Sequence, residues 1–85
     1  MGYSILFSSR ARRDLKNLPE NIVEKILENL EYISSDPHSH VKKLKGNPFF
    51  SYRTGKYRVI LEIIDDRLII HVISVAHRSK VYRDF

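Results

Sequence analysis

The chain has 85 residues, with 15 Lys and Arg against 10 Asp and Glu, and a formal net charge of +5. This length holds one small domain with a single core, so residues 1–85 are expected to form one domain. Because the chain contains no cysteine, disulfide bonds, thiolate metal sites and cysteine nucleophiles are excluded. A secretory signal and an apolar run of roughly 18–20 residues are both lacking, which predicts a soluble, cytoplasmic protein without a membrane partner.

The excess positive charge belongs to the second part of the chain. Residues 1–35 hold five basic and five acidic side chains, whereas residues 36–85 hold ten basic and five acidic ones. A basic domain whose excess lies on one set of elements suggests a polyanionic partner such as a nucleic acid.

The first part of the chain predicts a strand and two helices. Tyr3–Ser8 is a β-branched and aromatic run typical of a strand, and Ser8 or Ser9 can cap a helix that ends near Leu18. A second helix is expected from about Pro19 to Ser35, since apolar residues recur at helical spacing. These residues are Ile22, Val23, Ile26, Leu27, Leu30 and Ile33. We expect the two helices to form an antiparallel hairpin that covers one face of a sheet.

The second part predicts three strands, at Phe49–Arg53, Lys56–Ile64 and Arg67–Val75. They are joined by a tight turn at Thr54-Gly55 and a two-residue turn at Asp65-Asp66. The predicted fold is therefore α+β with the order βααβββ, a helical hairpin on one face of a curved, mainly antiparallel four-stranded sheet.

The other face of that sheet is expected to carry cations. Alternation along its strand places Arg58 there, and the turn at Gly55 brings Arg53 beside it. Two guanidiniums repel unless an anion lies between them, and arginine suits forked phosphate contacts. Further cations and aromatic rings, as a single-stranded RNA site requires, come from the segment His38–Pro48, the second strand and the C-terminal residues: Lys43, Lys45, Arg78, Lys80, and Tyr52 or Tyr82. An ordinary exposed sheet face, with Glu62 as the counter-charge, is the alternative.

Three segments, in this order, resemble the RelE toxins of the RelE/ParE superfamily. They are Lys43-Leu44-Lys45-Gly46, the hairpin Tyr52–Val59 and the C-terminal segment Val75–Tyr82. The resemblance covers essentially the whole chain and implies the toxin of a type II toxin–antitoxin pair, an mRNA endoribonuclease that acts in the ribosomal A site without metal or cofactor. It also implies neutralisation by a cognate RelB-like antitoxin in a toxin–antitoxin heterotetramer. We expect an amphipathic helix or strand of the antitoxin to cover the helical hairpin or the sheet edge.

The resemblance also implies roles for individual residues. It assigns catalysis to Arg58, Arg78, Tyr82 and Lys45, with Lys43 in support. Together with Lys43, the residues Arg53, Lys80 and His77 are expected to bind the substrate, because of their charge and their place in the sequence. Arg58 and Arg78 would stabilise the phosphorane that forms when the 2′-hydroxyl of RNA attacks the scissile phosphate. Tyr82 would stack on the substrate base or assist proton transfer. Lys45, Tyr82 and His77 all remain open as the group that moves the protons.

The chain departs from the RelE pattern at the second strand, where two lysines alternate in the family. Phe49 and Ser51 stand in the matching positions, which leaves Arg53 as that strand's only cation and puts the general base in doubt. His38 and His40 lie in a predicted loop without partners at metal-ligand spacing and receive no role. Two alternatives remain open: a ParE-like toxin that inhibits DNA gyrase without nuclease activity, and a degenerate basic binding module.

Overall fold

A computed structural model describes residues 2–79 of the chain. Its helices and strands follow in the order β1 Ser4–Phe7, α1 Ser9–Lys16, α2 Glu20–Ile33, β2 Lys42–Lys43, β3 Phe50–Thr54, β4 Tyr57–Ile64 and β5 Ile69–His77. The strands form one sheet in the order β1-β5-β4-β3-β2, in which β1 is parallel to β5 and the other neighbours are antiparallel. Within residues 2–79, no helix has the length and apolar character needed to cross a membrane.

The α+β class and the order of the main elements confirm the sequence prediction, but the sheet has five strands instead of four. The added strand, β2, lies in the segment His38–Pro48 that was predicted as a loop. Its two residues pair with the start of β3, Lys42 with Ser51 and Lys43 with Phe50. Lysine is depleted in strands, and two residues are too few to show an alternating pattern. Only the long-range pairing therefore reveals this strand.

The hydrophobic core lies between the two helices and one face of the sheet. Ser8 caps α1, and its Oγ accepts a hydrogen bond of 3.0 Å from the Ala11 backbone N–H. The stripe on α2 is confirmed, since Ile26, Leu30 and Ile33 are all buried. They pack with residues of the two central strands, namely Val59 and Leu61 of β4 and Ile70, Val72 and Val75 of β5.

Strand β5 contains a β-bulge at Ile73. In the ladder with β4, Ile60 pairs with Ser74 and Leu61 pairs with Val72, so Ile73 is an extra residue. An extra residue shifts the alternation of side chains by one position. Val72 and Val75 can therefore both face the core although they are three residues apart. Beyond the bulge, Ser74 and Ala76 belong to the face turned away from the helices.

Helix α1 holds this bulge in place from both sides. The Ser8 hydroxyl donates a hydrogen bond of 2.6 Å to the Ile73 carbonyl, and the Ser8 backbone N–H donates to the Val72 carbonyl at 2.9 Å. The Val75 backbone N–H, just past the bulge, donates to Oδ2 of Asp14 at 3.0 Å. The N-cap of α1 and a residue of its second turn thus help to determine the side-chain alternation at the end of β5.

Asp14→Ala is expected to lower the free energy of unfolding by about 1–3 kcal/mol, because it removes the acceptor of a partly buried backbone N–H. Chemical denaturation of the purified variant measures the loss. Asp66→Ala, at an exposed turn position, is the matched control and should change the stability by no more than about 0.5 kcal/mol. Equal losses in the two variants would contradict the role assigned to Asp14.

The connection between β4 and β5 is longer than the predicted two-residue turn. It is a 3₁₀ turn at Asp65–Arg67 followed by Leu68, whose φ of 54° lies in the left-handed region. The Tyr3 hydroxyl donates a hydrogen bond of 2.7 Å to Oδ1 of Asp65, and Nε2 of His38 lies 2.8 Å from the same oxygen. These contacts, that of Tyr3 first, hold the pKa of Asp65 below its usual value. They also turn His38 toward the β4–β5 connection.

Candidate functional site

The arginine pair predicted from the sequence lies on the face of the sheet turned away from the helices. Val59 and Leu61 of β4 face the core, so Arg58 and Ile60 face the opposite side. Arg53 and Arg58 are direct cross-strand partners, which places their Cβ atoms about 4.5–5.5 Å apart. Ile60 is fully buried and outside the core cluster. It therefore gives this face an apolar floor beside the two arginines.

A cavity of about 370 Å³ opens on this face and is called the basic pocket here. It is lined by Ser39, His40, Val41, Lys42, Ser51, Arg53 and Arg58. Lys42 reaches it because its register partner is Ser51, which shares the face of Arg53. The described residues that line the pocket include three permanently basic side chains and no carboxylate. An anion of the size of a phosphodiester is the ligand that this charge and volume favour.

Arg58 is the best fixed of these cations. It lies on β4, which is flanked by β3 and β5, and one of its guanidinium nitrogens, Nη1, is buried. Arg53 on the neighbouring strand is exposed. A donor whose position is set by its surroundings stabilises developing charge without having to reorganise. Arg58 is therefore the pocket's strongest candidate for binding a reacting phosphate, and Arg53 is suited to hold an adjoining one.

Arg78 follows the last residue of β5 and approaches the same face. Its backbone N–H donates a hydrogen bond of 2.9 Å to the Lys56 carbonyl, so the ladder continues one residue beyond the strand. Ala76 pairs with Arg58, and alternation after the bulge places Arg78 on the side of Ala76. Diagonal neighbours of this kind lie about 7–8 Å apart, within reach of long side chains. Without the bulge, Arg78 would belong to the face of the core.

Two further predicted site residues, Lys43 and His77, do not line the basic pocket. Lys43 lies on the opposite face, with Nζ 5.7 Å from the centre of the Phe50 ring and a hydrogen bond of 3.1 Å to the Leu44 carbonyl. His77 also lies on that face, because its register partner is the core-packed Tyr57, whose ring is 5.7 Å away. The physical reason is that successive side chains of a strand point to opposite faces of the sheet, which places both Lys43 and His77 on the face of the core.

Lys45 is separated from the pocket along the strand. It lies in the turn after β2, beyond the hydrogen bond of 3.0 Å between the Leu44 N–H and the Phe49 carbonyl. Phe49 is four residues from Arg53, a distance of about 13 Å along an extended chain. The predicted meeting of Lys45 with Arg58 in one hollow is therefore not found. Lys80 and Tyr82 fall outside residues 2–79, the range that the structure describes.

The pocket contains a lysine and a histidine that the sequence analysis did not assign. Lys42 could not be identified from its position because the pairing that places it opposite Ser51 is long-range. His40 was passed over with His38 as a loop histidine, although the two face different surroundings. A larger cavity, of about 440 Å³, lies between β1 and α2. No basic side chain among the described residues lines it, so it is less suited to an anion than the basic pocket.

Sequence comparison places the chain among toxins. A family model described as the ParE toxin of the type II toxin-antitoxin system, parDE, matches residues 5–82. The chain is 34% identical to the Toxin RelG of Mycobacterium tuberculosis, over 98% of the chain and 99% of that protein. It is 29% identical to the mRNA interferase toxin RelE of Escherichia coli, over 99% of the chain and 94% of that protein.

Structure comparison agrees. The toxin–antitoxin complex RelBE2 of Mycobacterium tuberculosis contains a chain that matches with a TM-score of 0.85 and 31% identity, over 94% of this chain and 95% of that one. The isolated RelE toxin of Escherichia coli matches with a TM-score of 0.77 and 28% identity, over 96% of this chain and 93% of that one. By sequence and by fold, the chain belongs to the RelE toxin family, within the RelE/ParE superfamily of type II toxin–antitoxin systems.

Proposed function

We propose that this chain is the toxin of a type II toxin–antitoxin pair and acts as an endoribonuclease that cleaves mRNA in the ribosomal A site. The observation that carries the proposal is the basic pocket, in which Lys42, Arg53 and Arg58 line one cavity without a carboxylate among the described residues. The relatives named mRNA interferase RelE support the same activity. A polyanion is the partner that such a pocket selects.

The chemistry follows from the nucleophile that RNA itself supplies. The 2′-hydroxyl attacks the neighbouring phosphorus, and the 5′-oxygen leaves, which yields a 2′,3′-cyclic phosphate and a 5′-hydroxyl end without a required metal ion. Arg58 and Arg78 stabilise the negative charge of the phosphorane, and Arg53 binds the phosphate next along the chain. The stacking role of Tyr82 stays a prediction from the family resemblance, and the binding role of Lys80 stays a prediction from the charge pattern.

Inhibition of DNA gyrase, the activity of ParE-like toxins, is the second candidate function. The name of the matching family model favours it. A cluster of cations around a cavity is not needed for that activity, whereas RNA cleavage depends on it. The basic pocket therefore favours the nuclease over the gyrase inhibitor and over a binding module without catalysis.

A RelB-like antitoxin is the proposed partner, since the similar structures include RelB–RelE complexes. Strand β1 is one edge of the described sheet, and beside it Leu27 of α2 is 40% exposed in the wall of the larger cavity. An edge strand next to a groove with both apolar and polar walls can receive either an added strand or an amphipathic helix. The assembly into a heterotetramer is part of this proposal.

Incubation of the purified chain with mRNA on stalled ribosomes tests the function. We expect cuts in register with the codon in the A site, fragments that end in a 2′,3′-cyclic phosphate, and no cuts in the same mRNA without ribosomes. Primer extension maps the cuts, and a supercoiling assay with DNA gyrase runs in parallel. Intact mRNA together with inhibited gyrase would replace the nuclease by the ParE-like activity, and intact mRNA with active gyrase would leave only a binding module.

A further inference from the structure

His40 is held at the rim of the basic pocket by its surroundings. Its backbone N–H donates a hydrogen bond of 3.1 Å to the Pro37 carbonyl, and its ring stands edge-on to Tyr32 with the ring centres 5.5 Å apart. The following residue, Val41, packs against the hydrophobic core. His40 and Lys42, on either side of Val41, both line the pocket. The backbone at His40 is thus fixed on both sides along the chain, and the exposed ring of Tyr32 contacts the imidazole itself.

His38, two residues earlier, is a suitable control for His40 because it lies beside the β4–β5 connection and not at the basic pocket. Its Nε2 atom is 2.8 Å from Oδ1 of Asp65, and its ring is edge-on to Phe50 at 5.5 Å between centres. Phe50 packs against the core, on the helix side of the sheet. His38 is not among the residues that line the basic pocket. The chain therefore offers two exposed histidines, each edge-on to an aromatic ring, of which one lines the pocket.

Lys42 lies beside a position of β3 at which the RelE pattern has a lysine and this chain has none. Ser51 occupies a position at which the RelE pattern has a lysine, and Lys42 is the direct cross-strand partner of Ser51. Side chains opposite one another on one face have Cβ atoms about 4.5–5.5 Å apart, and a lysine side chain is longer than this separation. Lys42 of β2 thus places a positive charge near the position where the lysine of β3 is absent.

We propose that His40 is the general base of the cleavage and that Lys42 binds the scissile phosphate in place of the missing strand lysine, an inference that depends on the proposed nuclease function. The neutral imidazole of His40 takes the proton of the 2′-hydroxyl while the bond from O2′ to phosphorus forms. The bond from phosphorus to O5′ breaks, the leaving oxygen takes a proton from water, and His40 later returns its proton to solvent. Protons and electron pairs then balance without a further reactant.

The other side chains around the pocket suit this proton transfer less well. Arginine stays protonated in proteins, and the hydroxyl of serine is a weak base. Lysine ordinarily carries its proton at neutral pH, whereas histidine is the side chain that changes charge between about pH 5 and 8. Among the described residues, the Tyr32 ring from α2 contacts His40, and the titratable side chains that line the pocket with His40 are Lys42 from β2, Arg53 from β3 and Arg58 from β4. Histidine is therefore the residue type in this set that is best suited to the role of a base.

The test is the rate of single-turnover cleavage of ribosome-bound mRNA between pH 6 and 8. For the wild type, the rate should fall as the pH is lowered, because a protonated imidazole cannot act as a base. His40→Ala should be slower by about 10²-fold at pH 7.5, should lose this pH dependence, and should recover partly when imidazole is added. His40→Gln, which keeps a polar side chain at the rim, is measured beside it so that a folding defect in one variant does not decide the result.

Matched variants separate catalysis from binding and from structure. His38→Ala should keep the wild-type rate and pH profile. Lys42→Ala should require a higher toxin concentration for half-maximal rate and keep the profile, and Lys42→Arg should restore the concentration dependence. A wild-type rate and profile in both His40 variants would overturn the inference while the nuclease function stands. A wild-type protein that does not cut mRNA would instead overturn the proposed function, and the inference with it.

Discussion

Arg58→Ala should lower the single-turnover rate of mRNA cleavage by about 10²–10³-fold, which corresponds to roughly 2.7–4 kcal/mol of transition-state stabilisation. Arg58 lies on the central strand β4, and its guanidinium is partly buried next to the cross-strand partner Arg53. A guanidinium held in this way offers two parallel N–H groups to the phosphorane oxygens. Alanine removes both donors, and water that replaces them would have to reorganise during the reaction. Mapping of cuts on stalled ribosomes, with quenched-flow sampling, measures the rate.

Two further variants show whether the loss of rate is specific to the guanidinium of Arg58. Arg58→Lys keeps the charge but loses the planar fork, so its rate should lie between those of the wild type and Arg58→Ala. Arg67→Ala removes an exposed arginine of the β4–β5 turn and should cut mRNA at nearly the wild-type rate. Thermal unfolding of each variant shows whether the fold is intact. Cleavage by Arg58→Ala at the rate of Arg67→Ala would remove Arg58 from the mechanism.

Leu30→Ala should destabilise the folded chain by about 2–5 kcal/mol, because it deletes three buried carbon atoms and leaves a cavity between α2 and the sheet. Leu30 is completely buried in the core cluster. Small domains have total stabilities of about 5–15 kcal/mol, so this single change removes a large share. Because alanine has a high helix propensity, the loss of stability in Leu30→Ala is due to lost packing and not to a weaker helix. The urea concentration at the midpoint of unfolding measures it, with the slope of the transition as a check on two-state behaviour.

The same helix supplies the control. Leu27 lies three residues before Leu30 and is 40% exposed, so Leu27→Ala should cost less than about 1 kcal/mol in the free toxin. Because Leu27 also lines the cavity between β1 and α2, this variant should weaken binding of the antitoxin more than it weakens the fold. Equal midpoints for the two alanine variants would show that the core does not lie where the burial of Leu30 places it.

Local patterns in the sequence predicted the main elements because each depends on neighbouring residues. The capping hydroxyl of Ser8 and the apolar spacing along α2 identify the helices, and both features are confirmed. Gly55 identifies the β3–β4 hairpin because its φ of 60° is a conformation that other residues rarely adopt. The tight turn then determines the register, which is why the pairing of Arg53 with Arg58 could be predicted from the chain alone.

The rest of the candidate site depends on contacts between residues far apart in the chain. The faces of Lys42 and Lys43 follow from the pairing of a two-residue strand with β3. The face of Arg78 follows from the bulge at Ile73, which α1 holds through Ser8 and Asp14. Neither feature has a local pattern, so the sequence analysis did not name Lys42 and His40, which line the basic pocket.

By itself, the sequence determined the α+β class, the order of the helices and strands, and a toxin-like arginine pair at a tight hairpin. Only the tertiary structure decided which cations share the face of that pair and which histidine joins them. The physical reason is that side chains alternate between the faces of a sheet. A shift of one residue, from an unrecognised strand pairing or a bulge, therefore moves a side chain from one face to the other.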